Sequence, residues 1–240
     1  VNSFGGAWFD ADMRPTIDSA AWEEAINFYV DLLGNYGPPG SEGNSFNEIL
    51  ALYNEGKCGM WMDATVAAGW LAEDGKGGSS EVAGKIGWAV APNTGKGKNA
   101  GWLWAWALAI PSGSQKIDVA KEFMAWSTGP DYMRLVAFEN GHASIPPGTR
   151  QSLYDNETYK NVPFAQMTLN AILAADPLKP TVDPVPYVGI QFAAIPEFAG
   201  IATDVSQEFA AAYAGQQTVE EALAKAQSLT NDAMEAAGYR

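Results

Sequence analysis

The sequence predicts an α/β fold, and three features carry that expectation. The run Gly101–Pro111 alternates with period two, as a half-buried strand does. Two shorter apolar runs, Lys57–Met62 and Lys85–Ala91, read as further strands. Segments with apolar residues at helical spacing lie before, between and after them, and strands interleaved with helices define α/β architecture.

The elements follow in order. Asp18 and Ser19 offer an N-cap to a helix whose apolar face is Trp22, Ala25, Ile26, Tyr29, Leu32 and Leu33, with Gly34 as its stop. Pro38-Pro39-Gly40 marks a loop. Ser45 opens a second amphipathic helix, carrying Phe46, Ile49, Leu50 and Tyr53 and ended by Gly56. The strand Lys57–Met62 delivers Asp63 to its C-terminal end, and Ala64–Glu73 follows as a helix; α/β folds place ligands at such junctions. Gly75–Ser80 is a flexible surface loop. A Lys/Gly loop, Pro92–Ala100, leads into the Trp-rich strand.

Beyond Pro111 the pattern turns helical. Ala120, Phe123, Met124 and Ser127 share one face, and Pro130 starts a further helix as an N1 proline. Asn161–Ala175 reads as helical. Pro177–Pro186 holds four prolines and reads as an extended connector. Ile190–Tyr213 is mostly helical. Thr218-Val-Glu-Glu221 is a capping box that opens the final helix, Ala222–Ala237.

Composition narrows the function. The chain has 240 residues, enough for one large domain or two small ones with a real core. With 47% apolar and 12% aromatic residues it is globular rather than disordered. Twenty-eight acidic residues against 14 Lys and Arg leave a formal charge of −14. That balance argues against nucleic acid and anionic membrane surfaces, which need clustered Lys and Arg. Cys58 stands alone, so neither an intramolecular disulfide nor a Cys-built metal site is available. His142 also stands alone, which leaves His-ligated zinc and His-dependent nucleophiles resting on one residue. No cofactor or metal is expected. No apolar run approaches the ~20 residues of a membrane helix. The start, Val1-Asn2-Ser3-Phe4, fits a processed or truncated chain better than a native beginning.

The candidate ligand-binding residues come from chemistry at particular places. In the period-two run, Trp102, Trp104 and Trp106 share one face, the outer two about 13 Å apart at about 3.3 Å per residue. That is the length of a small sugar, and indole faces stack on the C–H faces of sugars and polyols. The competing role is core packing, expected for Trp106 deep in the run and less so for Trp102 beside Gly101. Asp63 could accept hydrogen bonds from adjacent hydroxyls or cap the helix behind it. Arg150 could donate its planar fork to hydroxyls, pair with Asp63, or form an ordinary surface ion pair. Gln191 lies in apolar surroundings, where an amide needs a partner, either a ligand hydroxyl or a backbone group. Cys58 reads as a small core residue and His142 as a loop or helix-end residue. Gly95-Lys-Gly-Lys-Asn-Ala100 matches a dinucleotide fingerprint by letter, but a strand rather than a helix follows, so it reads as a surface loop. Paired carboxylates acting as a glycoside hydrolase are the alternative that the abundant acids leave open.

Seven blocks, in order, carry a resemblance. They are Gly5–Phe9, Phe28–Leu33, Phe46–Asp63, Gly101–Pro111, Pro146–Arg150, Pro184–Gln191 and Ala214–Leu223. Together they resemble the extracellular solute-binding proteins of ABC transporters, the family that includes maltose-binding protein, and most closely its sorbitol- and mannitol-binding branch. The resemblance implies a two-lobed periplasmic-binding-protein-like fold, with much of the first lobe absent and this chain a C-terminal portion. It assigns residues 1–100 and 148–240 to the second lobe and 101–147 to the first. It implies a monomeric, periplasmic or extracellular, non-enzymatic protein that is not membrane-inserted. Such a protein delivers a polyol or small sugar to ABC permease subunits. The ligand-binding residues it supports are Trp8, Asp63, Gly101, Trp102, Trp104, Arg150 and Gln191, of which Trp8 rests on the resemblance alone.

Overall fold

The computed structural model describes residues 1–72, 80–99, 101–148 and 150–239. The helices are α1 (Ala20–Tyr36), α2 (Phe46–Asn54), α3 (Ala68–Leu71), α4 (Ile117–Ser127), α5 (Pro130–Asn140), α6 (Gln151–Tyr154), α7 (Ala165–Ala174), α8 (Phe198–Tyr213) and α9 (Val219–Ala236). Short 3-10 turns at Thr65–Ala67 and His142–Ser144 join some of them.

Local chemistry explains the helix ends. Ser45 and Glu48 form a reciprocal capping box on α2. Thr218 and Glu221 do the same on α9: the Glu221 N–H donates to Thr218 Oγ1 at 3.1 Å, and the Thr218 N–H donates to Glu221 Oε2 at 2.9 Å. Pro130 occupies the first turn of α5, where its missing N–H costs nothing. Helix α1 runs through Gly34 and ends at Gly37, whose N–H closes on Leu33 O at 2.8 Å. A Cβ at Gly34 would meet nothing, whereas one at Gly37 would lie 2.4 Å from Leu33 O, so the second glycine is the real stop.

The three expected strands require correction. Among the described residues the sole β pairing is a single antiparallel bridge, Phe9 to Pro15, and 57–62, 85–91 and 101–110 are irregular chain. Period-two alternation specifies which side each residue takes. A ladder also needs a neighbouring strand to receive the backbone groups, and none lies alongside these runs among the described residues. The helix expected from Ala64 is a 3-10 turn followed by α3, and its last residue, Glu73, lies outside the described residues, as does the loop 75–80 except Ser80. Residues 190–197 are irregular rather than helical, because Gly189 (φ +118°) turns the chain and Pro196, ahead of the Glu197 N-cap of α8, disfavours a helical Ile195.

The chain divides into two compact units, 1–44 with 91–102 and 172–240, and 45–90 with 103–171. In the first, α8 and α9 pack along each other and against α1. Phe9, Ile17, Trp22, Phe198, Val205 and Met234 fill its core. Segment 93–99 is tied into this unit by the Lys96–Glu24 ion pair at 2.6 Å and by Lys98 Nζ donating to Lys179 O at 2.7 Å. In the second, α4 lies beside α5, and α3 lies against the turn His142–Ser144. That approach needs Gly69, where a Cβ would sit 2.7 Å from Ala143 O. Tyr159 and Phe164 are fully buried there, and Trp88 meets Phe164 edge-on at 5.3 Å. Cys58 is half-buried rather than a core residue. His142 sits in its 3-10 turn, as a helix-end residue would.

Candidate functional site

The candidate residues divide between the two units. Trp8, Gly101, Trp102 and Gln191 belong to the first, and Asp63, Trp104 and Arg150 to the second.

Trp8 is the most firmly placed. Its segment is held by Thr16 N donating to Trp8 O at 3.0 Å, by Thr16 Oγ1 donating to Ala7 O at 2.7 Å, and by the Trp22 indole N–H donating to Ala7 O at 2.6 Å. The Trp8 ring meets Trp22 and Phe198 edge-on, each at 4.9 Å. Its backbone N–H donates to the Tyr187 phenol oxygen at 3.2 Å. Tyr187 is only 5% exposed and packs edge-on against Phe9 at 5.9 Å. Burial raises the Tyr187 pKa, and the backbone amides of Trp8 and Phe9 at its oxygen work against that rise.

Gln191 is half-buried on a tight turn. The Gly189 N–H donates to Pro177 O and the Ala194 N–H to Val188 O, both at 2.8 Å. The turn requires glycine: at φ +118° a Cβ on residue 189 would lie 2.2 Å from Phe192 O.

Gly101 is exposed, and a Cβ there would meet nothing within 4 Å among the described residues. Trp102 is 45% exposed, Trp104 60% and Trp106 89%. The expectation that Trp106 packs into a core is therefore corrected: at 89% its side chain stands in solvent. Trp104 and Trp106 still lie on one side, their rings 5.6 Å apart and edge-on, as i and i+2 residues of an extended run should.

Asp63 is exposed and accepts a 2.6 Å hydrogen bond from the N–H of Ala64, the next residue, which falls short of capping a helix. Arg150 is exposed, with Nη2 and Nε donating to Thr128 O at 3.1 and 3.4 Å. The suggested Arg150–Asp63 ion pair does not form. Thr149, between the Pro146-Pro147-Gly148 turn and Arg150, lies outside the described residues.

Two concavities among the described residues bear on the site. One of about 280 Å³ in the first unit is lined by Lys98, Asn99, Ala174, Asp176, Lys179 and Ile190. It borders Gly101 and Gln191 in sequence without including either. A second, of about 220 Å³, is an apolar groove between Leu108–Pro111 and the α4 residues Ala120, Phe123 and Met124. Among the described residues no cluster of three or more His, Cys, Asp or Glu could hold a metal, and no helix is long and apolar enough to cross a membrane.

Tyr187 is the residue that the sequence reading missed. It lies inside the block Pro184–Gln191, and the available signal was a phenol in an apolar stretch, which needs a partner once buried.

With its helices, turns and exposed indoles in place, the chain can be set beside known proteins. It belongs to the bacterial extracellular solute-binding protein family, whose pattern matches residues 1–134. It is 46% identical over 239 residues to a mannitol-binding protein of Pseudomonas aeruginosa, a match covering 100% of this chain and 54% of that protein. An ABC transporter solute-binding protein from Agrobacterium vitis S4, solved with bound D-mannitol, superimposes with a TM-score of 0.93 at 54% identity, covering 99% of this chain and 56% of that one. Maltose-bound T. maritima MalE3 shares the fold at a TM-score of 0.76 and 22% identity, covering 96% of this chain and 55% of that one. The fold class is thus the two-lobed α/β solute-binding type, and the chain spans about half the length of these relatives.

Proposed function

We propose that this chain is part of the substrate-binding component of an ABC importer, which captures a polyol or small sugar in an interlobe cleft and hands it to membrane permease subunits. The supporting observation is the likeness along nearly the whole chain to a protein named for mannitol binding, at 46% identity, and to a solute-binding protein solved with D-mannitol bound, at 54%. Residues 1–100 and 148–240 are assigned to the second lobe and 101–147 to the first. The contact-defined units, with boundaries at 44/45, 90/91, 102/103 and 171/172, are a separate division. The protein works as a monomer in the periplasm or outside the cell, and no bond is made or broken.

Each residue has a distinct job in this reading. Trp8, Trp102 and Trp104 offer indole faces to the C–H surface of the ligand. Asp63 accepts hydrogen bonds from adjacent hydroxyls, while Arg150 and Gln191 donate to hydroxyl oxygens. Gly101 lets the ligand approach the backbone. Asp63 and Arg150 are exposed, Asp63 accepting from the adjacent Ala64 N–H and Arg150 donating to Thr128 O, so both have hydrogen-bonding capacity left for a ligand. Lobe closure follows if the ligand binds the closed state more tightly, with the Pro184-Val185-Pro186 connector and the entry to the Trp run as hinges.

A thermal-shift screen with mannitol, sorbitol, arabitol, xylitol and simple hexoses tests the reading. A ligand at a hundred times its Kd stabilises a native protein by about 2.7 kcal/mol. At about 2–4 °C per kcal/mol for a chain of this size, the melting temperature rises by roughly 5–10 °C. Saturable stabilisation by hexoses with none by polyols would move the ligand class from sugar alcohols to sugars.

A further inference from the structure

We propose that Tyr187 is a positioning residue for ligand binding, setting the place of the Trp8 indole through the Trp8 backbone. The inference rests on the polyol-binding reading and adds to it a residue with no ligand contact of its own.

Three observations meet here. The Trp8 N–H is held by the Tyr187 oxygen at 3.2 Å across 179 residues of sequence. The phenol is 5% exposed, and its ring packs edge-on against Phe9 at 5.9 Å. The same residue opens the Gly189 turn that carries Gln191, which is pinned at Pro177 and Ala194. One side chain therefore ties together two segments that each supply a candidate ligand contact, both within the first unit. On its other side the Trp8 ring is set by Trp22 and Phe198. Packing fixes the plane of the indole, and the phenol fixes the backbone from which it projects.

A double-mutant cycle on the 240-residue chain tests the inference, with D-mannitol affinity read by calorimetry and the ligand-free melting temperature read in parallel. Tyr187→Phe keeps the ring and removes the oxygen. The expected result is about a fivefold weaker Kd, a central value for one lost hydrogen bond. In the Trp8→Ala background, Tyr187→Phe should change Kd less than twofold, because the indole it positions is gone. A purely structural role would lower the melting temperature in both backgrounds without this non-additivity. Unchanged affinity for Tyr187→Phe, equal losses in both backgrounds, or unchanged affinity for Trp8→Ala would each overturn the inference. Failure of the wild-type chain to bind mannitol or any other polyol would instead overturn the polyol reading, and the inference with it. That failure is told apart because it needs no variant.

Discussion

The Gln227 side chain holds the backbone of Ile17 from 210 residues away: Gln227 Oε1 accepts the Ile17 N–H at 2.8 Å. The same amide donates from Nε2 to Pro15 O at 2.9 Å. Helix α9 thereby fastens the segment before α1, and both polar ends of one side chain are used. Gln227→Ala removes the partner of Pro15 O and of the Ile17 and Asp18 N–H groups, and should cost about 1–3 kcal/mol. Gln227→Glu keeps an acceptor for Ile17 and loses the donor to Pro15, so it should cost less. Urea midpoints of the three proteins check the order.

Gly189→Ala is the backbone counterpart. The substitution meets a positive φ and a carbonyl oxygen 2.2 Å from the new Cβ. The conformational strain alone is about 1–3 kcal/mol. The turn must move to relieve it, and Gln191 moves with it. The melting temperature should fall and mannitol affinity should fall with it.

Gly101→Ala separates folding from binding. Nothing among the described residues lies within 4 Å of a Cβ at this position. The melting temperature of the free protein should stay within about 1–2 °C of wild type, since surface changes of this kind stay within ±0.5 kcal/mol. Mannitol affinity should drop if the ligand lies against this backbone. Unchanged affinity would remove Gly101 from the site.

Alkaline pH should unfold the protein before its buried phenols ionise. Burial raises the pKa of Tyr187, and burial followed by the neighbouring Tyr154 raises that of Tyr159, which is fully buried. The unfolded phenols ionise near about pH 10, where the native ones stay protonated. The unfolded state then binds fewer protons than the native state, so stability falls with rising pH. Their contribution is complete below about pH 10 and is lost above it. Urea midpoints across this range, with phenolate absorbance followed in parallel, should show ionisation of these groups only together with unfolding.

The helices were legible because their signals are local. Ser45 before α2, Pro130 in α5 and the Thr218–Glu221 box each act within one turn. The end of α1 was misplaced by three residues, because Gly34 and Gly37 look alike in sequence and only the close approach to Leu33 O distinguishes them. The strands were not legible as structure. Alternation from Trp102 to Trp106 sets the side each residue takes, but the partner that would make it a strand is no local property. The candidate site divides in the same way. Trp102, Asp63 and Gln191 announced themselves by chemistry at a place, whereas the link from Tyr187 to Trp8 joins segments 179 residues apart and leaves no periodic trace.

Titration of the 240-residue chain with D-mannitol, with heat and tryptophan fluorescence followed together, tests the central claim most directly. Three of the proposed contacts are indoles, so binding should give saturable heat, a saturable fluorescence change and one common Kd. Asp63→Ala combined with Trp102→Ala should abolish both signals. A cooperatively melting protein that gives neither signal at millimolar mannitol or sorbitol, or one whose double variant binds as the wild type does, would contradict the account.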